Sequence, residues 1–279
     1  HPSLGYQDRP YQLYPNQRMD LLDNEQKRVN LRYQGSFDAV AIEARVYRES
    51  VDHFMDFGDD KRFWYGSNSG SGAPCAPIRF SGDPAGTCAA GMPMYTQSTT
   101  VGALLRADLH LSAENLLRVG AEYQSYRLDD WWPASGGGMG PGTFWNIRDG
   151  ERDRKALFGE WEAHPADDWI TSLGLRYERV TTDAGSVQGY SSAPNAMGAQ
   201  YADSRRFNAL DRSRADDNWD LAALARHMVS QRLDIEFGYA HKVRSPNLYE
   251  RYTWSTWAMA ATMNNFVGDG NGYVGSPAL

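Results

Sequence analysis

The feature that most constrains the fold is a series of long alternating runs joined by connections that are short and long in turn. Alternation of apolar and polar residues with a period of two places every second side chain on one face of a strand. The runs are 27–36, 39–55, 99–112, 115–128, 152–164, 169–183, 218–228 and 232–243. Each is about 10 residues or more, against the 5–6 usual in globular sheets. Connections near 37, 112–115, 165–168 and 229–231 are short. Those at 56–98, 129–151, 184–217 and 244–279 are long and rich in Gly, Ser, Pro, Asp and Asn.

Face by face the pattern holds. Leu117, Val119, Ala121 and Tyr123 oppose Arg118, Gly120, Glu122 and Gln124, and Leu233, Ile235, Phe237 and Tyr239 oppose Asp234, Glu236 and Gly238. Periodicity alone does not say whether the apolar face points into a soluble barrel or out to lipid. Strand length, the one-sided loops and 13% aromatic residues favour lipid. The sequence therefore predicts an all-β fold, an antiparallel transmembrane β-barrel fragment of about eight long strands with short periplasmic turns and long extracellular loops.

Composition is compatible with that reading. The chain has 279 residues, 23% of them charged, with a formal net charge of −7 and a mean hydropathy of −0.62. Such polar averages are what alternating strands give, and no apolar run is long enough for a membrane-spanning helix. No basic stripe with interleaved aromatics points to nucleic acid. The start, "HPSLGYQDRP", lacks an initiator Met and a signal-like apolar segment, and the end, "NGYVGSPAL", follows a Gly-rich loop with no closing strand. Residues 1–279 are thus expected to be one partial barrel domain, an internal fragment of a longer protein.

The segment "HKVRSPNLYERYTWSTWAMAATMNNFVGDGNGYVGSPAL" (241–279) resembles the late-barrel region of TonB-dependent outer-membrane receptors. "DWWPASGGGMGPGTFWNIRDGERDR" (130–154) and "HFMDFGDDKRFW" (53–64) look like the copper-receptor branch of that family. The resemblance implies a barrel of about 22 strands, closed by an N-terminal plug and placed in the bacterial outer membrane among lipid and lipopolysaccharide. It also implies TonB as the energy-coupling partner, and copper as a transported ligand rather than a catalytic cofactor. In the copper branch the metal lies between a Cys-x-x-x-Met pair of the plug and a His-x-Met pair of the barrel. His53-Phe54-Met55 matches the second pair.

Parity supports an inward role for that pair. His53 and Met55 share the parity of Ala41, Glu43, Arg45 and Tyr47, opposite to Val40, Ile42, Ala44 and Val46. Both then face the lumen near the outer mouth, provided no bulge intervenes. A thioether with an imidazole suits Cu(I), and imidazole also suits Cu(II). Two donors make half a coordination sphere. The bland alternative is a Met packed on the plug and a His hydrogen-bonded to a neighbour.

Met92, Met94, Met139, Met259 and Met263 fall in the long connections. They are candidates for a weak metal relay or for ordinary gap-filling. Cys75 and Cys88, alone in one outer loop, read as a disulfide that would stabilise by about 3 kcal/mol in the chain-entropy model. Thiolate copper binding is the alternative. His110, His164, His227 and His241 show no metal-ligand spacing. "GDGNGYVG" lacks the Lys of a phosphate loop and the spaced carboxylates of a calcium loop. No catalytic constellation is present, so the expectation is a transport protein and not an enzyme. Other readings are a receptor for a siderophore or another metal chelate, a barrel enzyme or adhesin, and a soluble β protein binding sugar.

Overall fold

The computed structural model describes residues 1–14, 19–56, 93–135, 139–194, 199–264 and 272–279. They build one antiparallel sheet of nine strands, each hydrogen-bonded to its neighbours in sequence order. The strands are β1 (Pro2–Asp8), β2 (Asp20–Phe37), β3 (Val40–Asp56), β4 (Met94–His110), β5 (Asn115–Trp132), β6 (Phe144–Ala166), β7 (Trp169–Asp183), β8 (Arg214–Ser230) and β9 (Leu233–His241). Three helices sit in the long connections, α1 (Gln200–Asn208), α2 (Leu248–Tyr252) and α3 (Ala258–Met263). The ninth strand, relative to the eight runs read from sequence, is β1. It pairs with β2 from Pro2↔Leu31 to Asp8↔Glu25. A short run with Pro2 and Gly5 gives little alternation to read.

The two faces differ in what covers them. Paired residues share a face, Val46↔Ala103 on the apolar one and Glu43↔Arg106 on the charged one. On the apolar face Leu157 is 62% exposed, Phe237 61% and Trp219 55%. A soluble barrel would bury these side chains, whereas a lipid-facing wall leaves them to hydrocarbon. The opposite face is cross-linked by ion pairs. Arg176 bonds Glu122 at 2.6 Å and Glu178 at 3.1 Å, and Arg154 bonds Glu178 at 2.6 Å. Arg118 likewise spans Glu160 and Glu162. The polar face is therefore the inner one.

The hairpin between β2 and β3 turns at Asp38-Ala39, where Asp38 takes a positive φ of 25° that a tight right-twisted turn demands. The opposite ends of the strands run past the apolar band and carry the only large buried cluster among the described residues. Trp132, Phe144, Ile147, Tyr190, Leu248, Tyr252 and Trp254 are among its members, and Met19 and Met139 belong to it. This core is a roof formed by the long connections over the inner face.

Candidate metal site

The strand β3 keeps its register against β4 without interruption from Val40↔Leu109 to Met55↔Met94. His53 and Met55 therefore stay in phase with Arg45 and Tyr47 and point to the inner face. The one irregularity lies on the other side, in β2, where the register shifts between Leu21 and Asp23. That bulge places Leu21, in place of Leu22, opposite Met55.

Five side chains define the patch. His53 faces Asn24 on β2 and Thr96 on β4, while Met55 faces Met94. His53 Nδ1 lies 2.9 Å from Asn24 Oδ1. A carbonyl oxygen only accepts, so Nδ1 carries the proton and Nε2 keeps its lone pair. That tautomer is the one a metal uses through Nε2. The imidazole is half-buried, as is Met55.

Behind the patch, on the outward face, a row of rings ties the strands together. Phe54 stacks on Tyr95 with centroids 4.5 Å apart, Tyr95 on Trp131 at 5.6 Å, and Trp131 lies 5.8 Å from Trp145. Phe54 and Tyr95 are the outward neighbours of His53, Met55 and Met94, so this ladder fixes the backbone that carries the inward donors.

Five of the methionines singled out in the sequence touch one buried cluster. Met55, Met94, Met259 and Met263 pack against the same buried cluster, and Met139 lies inside it. Met139 is buried, with Ser135 Oγ 3.8 Å from its sulfur, so it fills the roof and is not displayed at the mouth. α3 holds Met259 and Met263 over the strand ends through Asn264. Asn146 Nδ2 donates to Asn264 Oδ1 at 2.9 Å and to Asp130 Oδ2 at 2.7 Å, and Trp132 Nε1 donates to Asp130 Oδ1 at 2.8 Å. All of Asp130, Asn146 and Asn264 are buried.

Met92, Cys75 and Cys88 lie outside the described residues. The remaining histidines are dispersed. His227 bonds Asp168 at 2.9 Å and stacks on Trp169 beside a short turn. His164 sits 3.6 Å from Glu162 near the same end. Among the described residues no three His, Cys, Asp or Glu side chains converge as a metal group would require. Asn24 and Met19 went unnoticed in the sequence. Asn24 lies in the stretch "DLLDNEQ", whose polar character conceals a strand extension beyond the apolar band.

A meander bare and apolar on one face, ion-paired on the other and roofed at its long-loop end defines the class, the wall of a membrane-spanning β-barrel. The chain belongs to the TonB-dependent receptor family, whose β-barrel model, described as TonB dependent receptor-like, beta-barrel, matches residues 2–279. Among solved structures, the copper transporter OprC superposes with a TM-score of 0.64 at 18% identity, over 90% of this chain and 36% of that one. The likeness at that identity is one of fold, and the chain spans 36% of that protein's length. Comparison with curated protein sequences finds no match. The family and this similar structure are transport receptors and not enzymes.

Proposed function

We propose that this chain is part of the barrel of an outer-membrane receptor that binds copper at its extracellular mouth and imports it with energy supplied through TonB. The observation that carries the reading is the inward pair His53 and Met55, with Nδ1 of the imidazole held by Asn24 and Nε2 without a hydrogen-bond partner among the described residues. An imidazole and a thioether on one patch are a soft donor set that suits copper. The remaining ligands come from a plug domain outside this chain, which also carries the contact to TonB. The methionines of the roof act as weak stations around the site, with Met139 mainly a packing residue. Cys75 and Cys88 form a disulfide in an outer loop, and the apolar face meets lipid and lipopolysaccharide.

The test is copper binding and copper-limited growth with the whole receptor carrying His53→Ala or Met55→Ala. Copper stoichiometry and uptake should fall sharply in both. Unchanged values in both would direct attention to a siderophore or another chelate as the cargo, with His53 and Met55 only lining the plug surface. Titration of free thiols on unreduced protein checks the disulfide.

A further inference from the structure

We infer that the barrel wall supplies three donors to the metal, Met94 Sδ joining His53 Nε2 and Met55 Sδ, with Asn24 as a positioning residue, and that this set selects Cu(I). The inference rests on the copper reading above and goes further in naming the third donor, the oxidation state and the group that orients the histidine.

Met55↔Met94 is the last pair of the β3–β4 register, and both side chains pack against the same cluster. Directly opposed residues hold their Cβ atoms about 4.5–5.5 Å apart, and the diagonal neighbour about 7–8 Å away is still within reach of a long side chain. His53 and Met94 are such diagonal neighbours. A thioether on three rotatable bonds can turn toward either partner.

The other candidates around the patch are excluded by chemistry. Leu21, brought opposite Met55 by the β2 bulge, has no donor atom. The Asn24 carbonyl is occupied by His53. The Thr96 hydroxyl opposite His53 bonds Tyr249. Among the described residues directly facing His53 and Met55 on β2 and β4, what remains is one nitrogen and two thioether sulfurs. Cu(II) favours nitrogen and oxygen in tetragonal array, whereas thioethers select Cu(I). Asn24 fixes the ring as a neighbouring acceptor does for metal-bound histidines generally.

The experiment uses the whole receptor purified in detergent, with Ag(I) as a redox-inert probe beside Cu(I), and reads affinity together with X-ray absorption of the bound ion. Met94→Leu keeps the side-chain volume and should lose one sulfur neighbour from the absorption spectrum, with weaker Ag(I) binding. Asn24→Leu should weaken binding about 10–100-fold with the sulfur count unchanged. Asn24→Asp, which still accepts from Nδ1–H, should restore it. The inference is overturned if Met94→Leu keeps both the sulfur count and the affinity, or if Asn24→Leu binds as the wild type does. If His53→Ala and Met55→Ala abolish binding in that same series, the copper reading stands and only this extension fails. If those two variants also bind normally, the copper reading itself fails.

Discussion

Arg251, fully buried in the helix α2, places Nη2 2.9 Å from Oδ1 and 2.8 Å from Oδ2 of Asp216 on β8. The same guanidinium donates through Nη1 to Thr182 Oγ1 on β7 at 2.8 Å and through Nη2 to the Leu279 carbonyl at 2.7 Å. Tyr252, the next residue, donates to the Arg212 carbonyl at 2.7 Å. One helix of the roof is thus clamped to two strands of the wall and to residues before and after it in the chain. A buried cation needs a partner of opposite charge, and Asp216 supplies it, while Arg251 Nε has no hydrogen-bond partner among the described residues.

Removing the cation should loosen the roof and leave the wall standing. Arg251→Ala withdraws the partner of Asp216 and empties a large buried volume, and breaking such a pair costs about 3–5 kcal/mol. The expected result is rapid limited proteolysis of 244–264 in detergent-solubilised receptor, with the strands still resistant. Asp216→Asn should give the same cleavage pattern, since it leaves Arg251 buried without its counter-charge. Resistance equal to wild type in both variants would show that the clamp does not hold the roof.

A pH response is built into the start of the same helix. Asn247 Oδ1 accepts from the Glu250 amide at 2.8 Å and Glu250 Oε2 accepts from the Asn247 amide at 2.7 Å, a reciprocal cap. Arg244 adds two bonds of 2.7 Å, and this guanidinium is the main reason the Glu250 carboxyl is lowered to about 2. A carboxylate with a folded pKa below its unfolded value contributes stability above the unfolded value, near 4.5, and loses it as pH falls toward about 2. Amide hydrogen exchange at 247–253 should therefore accelerate relative to the intrinsic rate as pH drops through that window. Glu250→Gln should show no such acceleration.

How much of this was legible in the sequence depends on what enforces alternation. Inside the apolar band every second residue must suit lipid, so strands such as 115–128 and 169–183 are plain from their letters. Beyond the band the wall continues without that requirement. "MYTQS" at the head of β4 and "DLLDNEQ" at the head of β2 read as loop, so Asn24 was missed and Met94 was placed in a connection and not on a strand. β6 begins at Phe144, well before the expected 152, because the β5–β6 register shifts between Leu128 and Asp130 and the alternation breaks. The inward phase of His53 and Met55 could be read correctly because the nearby bulge is in β2 and not in β3. The roof was not legible, since its contacts join Asp130, Asn146 and Asn264 across wide sequence separations and no local period reports them.

The inner face has its own packing rule, in which a glycine makes room for a ring on the next strand. Tyr47 lies across its register partner Gly102, where any Cβ would overlap the ring, and its hydroxyl accepts from Gln124 Nε2 at 3.0 Å. Gly102→Ala should destabilise the barrel by about 1–3 kcal/mol through overpacking. Equilibrium urea unfolding in detergent or lipid measures it. Tyr47→Ala should relieve most of that loss in the double variant, so that the two changes are far from additive. Simple additivity would show that the ring does not rest on the glycine.

The assignment of faces is tested by neighbours in sequence. Leu105 and Leu104 are adjacent on β4, yet Leu105 pairs with Ala44 and Ala121 on the apolar face while Leu104 pairs with Arg45 and Glu122 on the charged one. Leu105 lies in the middle of the outward band that runs from Leu109 to Val101, so a charge there would sit near the bilayer centre. Leu105→Arg should cost about 2–4 kcal/mol in folding into lipid vesicles. Leu104→Arg should cost far less, because the new guanidinium stands beside the Glu122 carboxylate and the polar interior. Folding yield against urea in vesicles of defined thickness reads both. Equal costs at the two positions, or a larger cost at Leu104, would reverse the faces and remove the inward placement on which the copper site depends.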